Sequence, residues 1–246
     1  MNIFLRSLIL ITAIALLAGC QTAMQLHDAN QQLTSYYYAK TQATDDPAMR
    51  ETAIASLRDL GKASAAIAEK TEDPLNKISF YRVAATAAWQ AGDAAVLEYT
   101  EGGSKICENH WSGAPRDCGM LTFIDDMAAV DETTAEFNRV DKSGSATAQQ
   151  AEDIFEKCEA SAENMIANYG SLATSVPADL LTAYGERIDD LVCTFIGINA
   201  NGLVNQTGGD VNAKYRIGNL RFEAKEVEVT LSRCPAGGVP TAVQDC

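Results

Sequence analysis

Apolar residues recur along this chain at steps of three and four, the period of amphipathic helices rather than of strands. In the first such stretch, 22–42, Leu26, Ala29, Leu33 and Tyr36 share one stripe. Adjacent helical residues point about 100° apart, so the triplet Tyr36-Tyr37-Tyr38 spreads around the helix and at least one ring is expected in solvent. A second helix opens at Asp46-Pro47, an N-cap followed by proline in the first turn. Ile54, Leu57, Ser64 and Ile67 mark its inner face, and Gly61 either weakens it or admits a close neighbour. The same start signal returns at Asp73-Pro74 for a third helix, with Ile78, Tyr81, Ala85, Ala88 and Trp89 inward.

Gly92 is expected to stop the third helix in a left-handed conformation, and Asp93 to cap a fourth containing Val96, Leu97 and Tyr99. Gly102-Gly103 is expected to fray or kink that helix before Cys107. A fifth helix is predicted over about 115–140, with Leu121, Ile124, Met127, Ala128 and Phe137 inward. After a polar linker, a sixth over about 146–169 carries Ile154, Phe155, Cys158, Ala162, Met165, Ile166 and Tyr169, with Gly170 as its expected stop. The seventh starts near Ser175 with Pro177 in its first turn, and buries Leu180, Leu181, Tyr184, Ile188, Leu191, Val192 and Phe195. A loop rich in Asn and Gly, 199–209, then leads to an eighth helix over about 211–233, where Ile217, Leu220, Ala224, Val227 and Leu231 step helically. The fold class expected is therefore all-α: a bundle or irregular solenoid of about eight antiparallel helices, stapled by disulfides. Tetratricopeptide spacing does not fit, because Trp89 stands one residue too close to Gly92 and Glu108 falls where an aromatic belongs.

The first nineteen residues follow another logic. Arg6 precedes an apolar run, 8–17, which as a helix spans about 15 Å, half of a bilayer core and too short to cross one. Leu17-Ala18-Gly19-Cys20 closes the run. This pattern resembles the lipobox of bacterial lipoprotein precursors. The resemblance implies cleavage before Cys20 and lipidation of that residue, leaving 20–246 as a helical envelope domain held to the membrane by acyl chains. In that family an Asp directly after the Cys often retains the protein at the inner membrane. Here that position is Gln21, so the resemblance implies the outer membrane, on its periplasmic face.

Export changes the reading of the cysteines. Apart from Cys20 there are six: Cys107, Cys118, Cys158, Cys193, Cys234 and Cys246. An even number in an oxidising compartment predicts three disulfides, with sequential pairing as the simplest arrangement. No Cys-x-x-Cys, His-Glu-x-x-His or Glu-x-x-His occurs, so neither a metal nor a cofactor is expected. The formal net charge is −14, which repels nucleic acid and leaves basic partners or cations possible.

No catalytic residue is assigned: the two histidines, His27 and His110, stand outside any recognisable motif. Two stretches are candidates for partner binding. One is the segment between Cys107 and Cys118, which presents His110 and Trp111 on a loop that a disulfide would hold rigid. The other is the sixth helix, where Glu152, Glu156, Glu159 and Glu163 step by 4, 3 and 4 to form one acidic stripe. Like charges at that spacing disfavour the helix, so the stripe is either a docking face for a basic partner or a divalent cation, or else a solvated face or a partner for Lys214, Arg221 and Lys225 of the eighth helix. These features fit a lipid-anchored binding, scaffold or assembly-accessory module with an envelope protein as partner. A carboxylate-based hydrolase of envelope glycans or peptides would need a cleft with two converging acids, and a carrier of a small apolar ligand would need an enclosed apolar cavity.

Overall fold

The computed structural model describes residues 2–143 and 148–198, with side chains described over 21–136 and for most residues of 153–188. The expected eighth helix, Cys234 and Cys246 lie outside the described residues, as do the side chains of Cys193, Glu152 and Glu159. Seven α-helices and one 3-10 turn make up the described chain, with no strand among the described residues. They are α1 (Asn2–Gln42), α2 (Pro47–Lys70), α3 (Pro74–Ala91), α4 (Val96–His110), the turn Trp111–Gly113, α5 (Pro115–Ser143), α6 (Ala148–Leu172) and α7 (Ala178–Ile198). The all-helical class read from the sequence is thus what the described residues adopt. α1 is longer than expected, since the apolar leader continues as the same helix.

The chain forms two compact units, Met1–Leu121 and Thr122–Cys246, and their boundary falls within α5. In the first unit, Ala29 of α1 meets Leu57, Leu60, Val83, Ala87 and Ala91, with Leu26, Leu33, Tyr36 and Ile54 packed around them. These include the whole stripe read for the first helix. α3 packs against α1, α2 and α4. Its residues Phe80, Val83, Ala84, Ala85, Ala87 and Ala88 are all buried, so α3 has no single inner face. A helix apolar nearly all round is a central helix, and its alanines let neighbours approach closely.

The starts of α2 and α3 are as the sequence dictates. Asp46 accepts from the Met49 amide at 3.0 Å, and Asp73 from the Asn76 amide at 2.8 Å. Each such cap contributes about 1 kcal/mol. Gly92 ends α3 at φ 61°, where a side chain would be strained. Asp93 is not the cap expected of it: it accepts from the Ala95 amide at 3.0 Å in the turn before α4, and the N-cap of α4 is Ala95, which makes no side-chain cap bond.

The expected break at Gly102-Gly103 does not occur: α4 runs unbroken from Val96 to His110. The two glycines serve packing instead. A Cβ on Gly102 would lie 2.8 Å from the Tyr81 ring, and one on Gly103 would lie 2.5 Å from Leu121 Cδ1. Close approach of neighbouring side chains is what these positions require, and it outweighs their low helix propensity.

In the second unit, Phe123, Ile124, Ile154, Cys158, Ala162, Met165, Leu172, Tyr184 and Ile188 are buried. Tyr184 is central, with its ring centroid 5.8 Å from that of Phe123 and 6.4 Å from that of Tyr169. Gly170 is not the stop expected of it, because α6 continues to Leu172. Leu172 extends the buried series Cys158, Ala162, Met165 by two further turns, and its burial carries the helix past the glycine. The backbone N–H groups of Ser175 and Val176 then both bond to the Leu172 carbonyl, and α7 begins directly after Pro177.

Candidate functional site

The segment singled out between Cys107 and Cys118 is closed by a disulfide, with the two Cα atoms 5.7 Å apart. Cys107 ends in the last turn of α4 and Cys118 lies in the first turn of α5. Between them the chain makes a 3-10 turn in which the Ala114 amide bonds to the Trp111 carbonyl at 3.1 Å. Both cysteines are buried, whereas Ser112 and Gly113 are exposed and His110 and Trp111 are half-buried. The turn sits against the start of α3: a Cβ on Gly113 would lie 2.8 Å from Leu75 Cδ2. Leu75 is itself 39 % exposed, an apolar edge beside the turn.

An open groove of about 380 Å³ runs along this edge, lined by Leu75, Asn76, Ser79, Gly113, Arg116 and Asp117 among others. Its floor is held by a polar network that crosses three helices. Ser79 Oγ donates to Asp117 Oδ2, Arg82 Nε donates to Asp117 Oδ1 at 3.1 Å, and Arg82 Nη2 donates to Asn30 Oδ1 at 2.8 Å. Arg82 and Asp117 are mostly shielded, with side chains 17 % and 25 % exposed. Such a charge-assisted set fixes α1, α3 and the start of α5 in one arrangement and makes the groove floor rigid. With a serine, a carboxylate and a guanidinium along one wall and a half-buried indole on the adjoining turn, the groove can accept a polar peptide edge bearing an apolar anchor.

A second open cleft, about 640 Å³, lies between the middle of α1 and the α2–α3 turn, lined by Gln21, Thr22, Gln25, Lys70, Glu72 and Asn76 among others. Both clefts are open, and neither is the enclosed apolar cavity that a carrier of an apolar ligand would show. Among the described residues, no group of three or more His, Cys, Asp or Glu side chains could hold a metal ion.

On α6, Glu156 and Glu163 are exposed, while the side chains of Glu152 and Glu159 are outside the description. Lys157, beside the stripe, pairs with Glu136 of α5 at 2.5 Å. Cys158 is buried in the second unit, and its expected partner Cys193 falls in α7 where side chains are not described. Cys20 lies within the continuous helix α1.

The Asp125-Asp126 doublet resolves into two different environments. Asp125 is half-buried, and Asp126 is buried, where its Oδ2 accepts from Tyr184 Oη at 2.5 Å and from Asn168 Nδ2 at 2.9 Å. Burial raises the Asp126 pKa, and the neighbouring Asp125 charge adds to that, while the two hydrogen bonds oppose it. The Tyr184 hydroxyl is raised as well, first by burial and then by the Asp126 carboxylate beside it. Asp126 lines neither groove, so its raised pKa belongs to a core network.

Periodicity finds helical faces and cannot pair a polar residue of one helix with that of another, so it missed both networks. The signal available for the first was Arg82, the one charged residue between Ile78 and Gly92. A lone charge in so apolar a helix must find a partner if it is shielded from water. The corresponding signal for the second was a carboxylate doublet inside the apolar run from Leu121 to Val130. The chain matches no protein-family model, no curated protein and no solved structure.

Proposed function

We propose that this chain is a bacterial lipoprotein, anchored through Cys20 at the periplasmic face of the outer membrane, whose helical body works by binding an envelope protein as a scaffold or assembly accessory. The observation that carries the reading is the junction between the lipobox and the body. Helix α1 is continuous through Leu17-Ala18-Gly19-Cys20, and its first core contact, Leu26, comes six residues after Cys20. Six helical residues span about 9 Å, so the anchor has no loose spacer and the body is held close to the membrane. A scaffold benefits from that arrangement, because confinement close to the membrane lowers the entropic cost of engaging a partner in the same envelope. The Cys107–Cys118 disulfide supports passage through an oxidising compartment.

Partner binding is assigned to the groove between Leu75 and the stapled turn, with Trp111, which stands on that turn outside the groove lining, as an adjoining aromatic contact. The test is crosslinking in intact cells, followed by mass spectrometry of the captured species. One dominant envelope protein joined near Trp111 is expected. Trp111→Ala should weaken capture by about 2 kcal/mol of binding free energy, roughly 30-fold in affinity, as for an aromatic hot spot. An empty catch, or one that Trp111→Ala leaves unchanged, would overturn the assignment.

A further inference from the structure

Helix α1 faces the body on one side only. Leu26, Ala29, Leu33 and Tyr36 point to α2 and α3, and Ala23, Met24, His27, Gln31, Ser35 and Tyr38 on the opposite side are exposed. Two observations distinguish this outer face. The first is apolar exposure: Met24 is 67 % and Tyr38 64 % exposed, the two highest values among the large hydrophobic side chains described. The second is charge. The chain carries a formal net charge of −14, yet 21–42 holds one acid, Asp28, and one base, Lys40. Lys40 is turned inward and donates to the Gln90 carbonyl. Asp28, exposed one turn after Met24, is the single charge on the outer face, and the other groups there are uncharged, with a hydrogen bond of 3.0 Å between the Gln31 amide and the His27 ring.

The register of α1 adds a third relationship. Cys20 stands one turn before Met24 and eighteen residues before Tyr38, which is five full turns, so the three positions fall on the same side of the helix. The distance from Cys20 to Tyr38 along the axis is about 27 Å. We infer that α1 lies along the bilayer surface, with its outer face from Met24 to Tyr38 docked on the phospholipid headgroups and the body carried on top. This inference rests on lipidation of Cys20.

The physical case is one of complementarity with the membrane that already holds the chain. An acidic protein is repelled by an anionic bilayer, and a face with one acid over five turns is a side that can approach it. Tyrosine places an apolar ring and a polar hydroxyl at the headgroup boundary, the depth that an interfacial helix occupies. A lipid on the same side of the helix as Met24 and Tyr38 pulls that side down, whereas a lipid on the buried side would have to pass around the body. Docking along five turns also fixes the azimuth of the protein, which an acyl anchor at one end cannot do.

The test uses the lipidated protein purified from membranes and reconstituted in vesicles of phosphatidylethanolamine and phosphatidylglycerol. The photoreactive residue p-benzoylphenylalanine is placed at Met24, at Tyr38 or, as a control on the exposed side of α2, at Lys62. After irradiation, lipid adducts and the mass of the N-terminal peptide are read together. The inference predicts roughly tenfold more lipid adduct at Met24 and Tyr38 than at Lys62, as expected of an interfacial face. With acylated Cys20 and equal, low adduct yields at all three positions, the docking is overturned and the anchor reading stands. Adducts at Tyr38 formed with protein instead of lipid overturn it equally. An unacylated Cys20 overturns both.

Discussion

Tyr184 donates a 2.5 Å hydrogen bond to Asp126 Oδ2 in the core of the second unit, and Asn168 completes the acceptor's shell from α6. This relationship joins α5, α6 and α7 through one oxygen atom. Removing the hydroxyl leaves a buried carboxylate short of a donor, which costs about 1–3 kcal/mol. Tyr184→Phe should therefore lower the denaturant midpoint of the second unit with an unchanged slope, read by circular dichroism. A midpoint equal to that of the parent would show that Asn168 and solvent suffice.

The same carboxyl makes stability depend on pH in a direction that can be worked out. Unfolded Asp126 titrates near the ordinary value of 3.8, and burial holds the folded group above it. Between those two values the folded state keeps a proton that the unfolded state has lost. The stability from this group is thus complete below the ordinary aspartate range and is lost as pH rises through the raised folded value. Asp126→Asn removes the titrating group, so the parent-minus-variant difference in unfolding free energy should fall as pH rises from the ordinary aspartate range. A pH-independent difference would contradict the raised value.

Two glycines give opposite expectations. Gly103→Ala would place a Cβ 2.5 Å from Leu121 Cδ1 and 3.1 Å from Tyr81 Cβ, and overpacking of this kind costs about 1–3 kcal/mol. Gly170→Ala meets nothing within 4 Å inside α6, so the gain in helix propensity should stabilise by about 0.5–1 kcal/mol. Thermal melts of the two variants should move in opposite directions.

Most of the fold was legible because helical stripes are a local pattern. Leu26, Ala29, Leu33 and Tyr36 identify the buried side of α1, and Asp46-Pro47 and Asp73-Pro74 mark two helix starts to the residue. The errors came where packing overrides propensity. Gly102-Gly103 and Gly170 read as breaks, and they sit inside helices because neighbours press close to the first pair and Leu172 is buried beyond the third. At the candidate site, the Cys107–Cys118 staple could be read from cysteine spacing and the lipobox resemblance. The groove beside it could not, because Leu75, Ser79 and Asp117 come together only when α3 meets the start of α5.

Ser64 is buried on α2, and its hydroxyl has no hydrogen-bond partner among the described residues. An unmet buried hydroxyl costs about 1–3 kcal/mol, and an alanine nearly fills the same space. Ser64→Ala should leave the fold intact and raise the stability of the first unit by about 1 kcal/mol. A loss of stability on making that change would indicate that Ser64 has a partner in solution.

The disulfide offers a test of the stapled turn. Its cysteines are 11 residues apart in sequence, and a loop of that size contributes about 3 kcal/mol through chain entropy. The double change Cys107→Ser with Cys118→Ser should lower the denaturant midpoint of the first unit accordingly. It should also loosen the Trp111 turn, read as faster amide hydrogen exchange over 108–117. Unchanged exchange there would show that the contact between Gly113 and Leu75 holds the turn by itself.

The anchor is tested most directly by intact-mass spectrometry of the protein extracted from cell membranes. The account predicts a chain that begins at Cys20 and is heavier than its sequence by the mass of a lipid attached to that residue. A chain of sequence mass beginning at or near Cys20, or one that still carries residues 1–19, would contradict it.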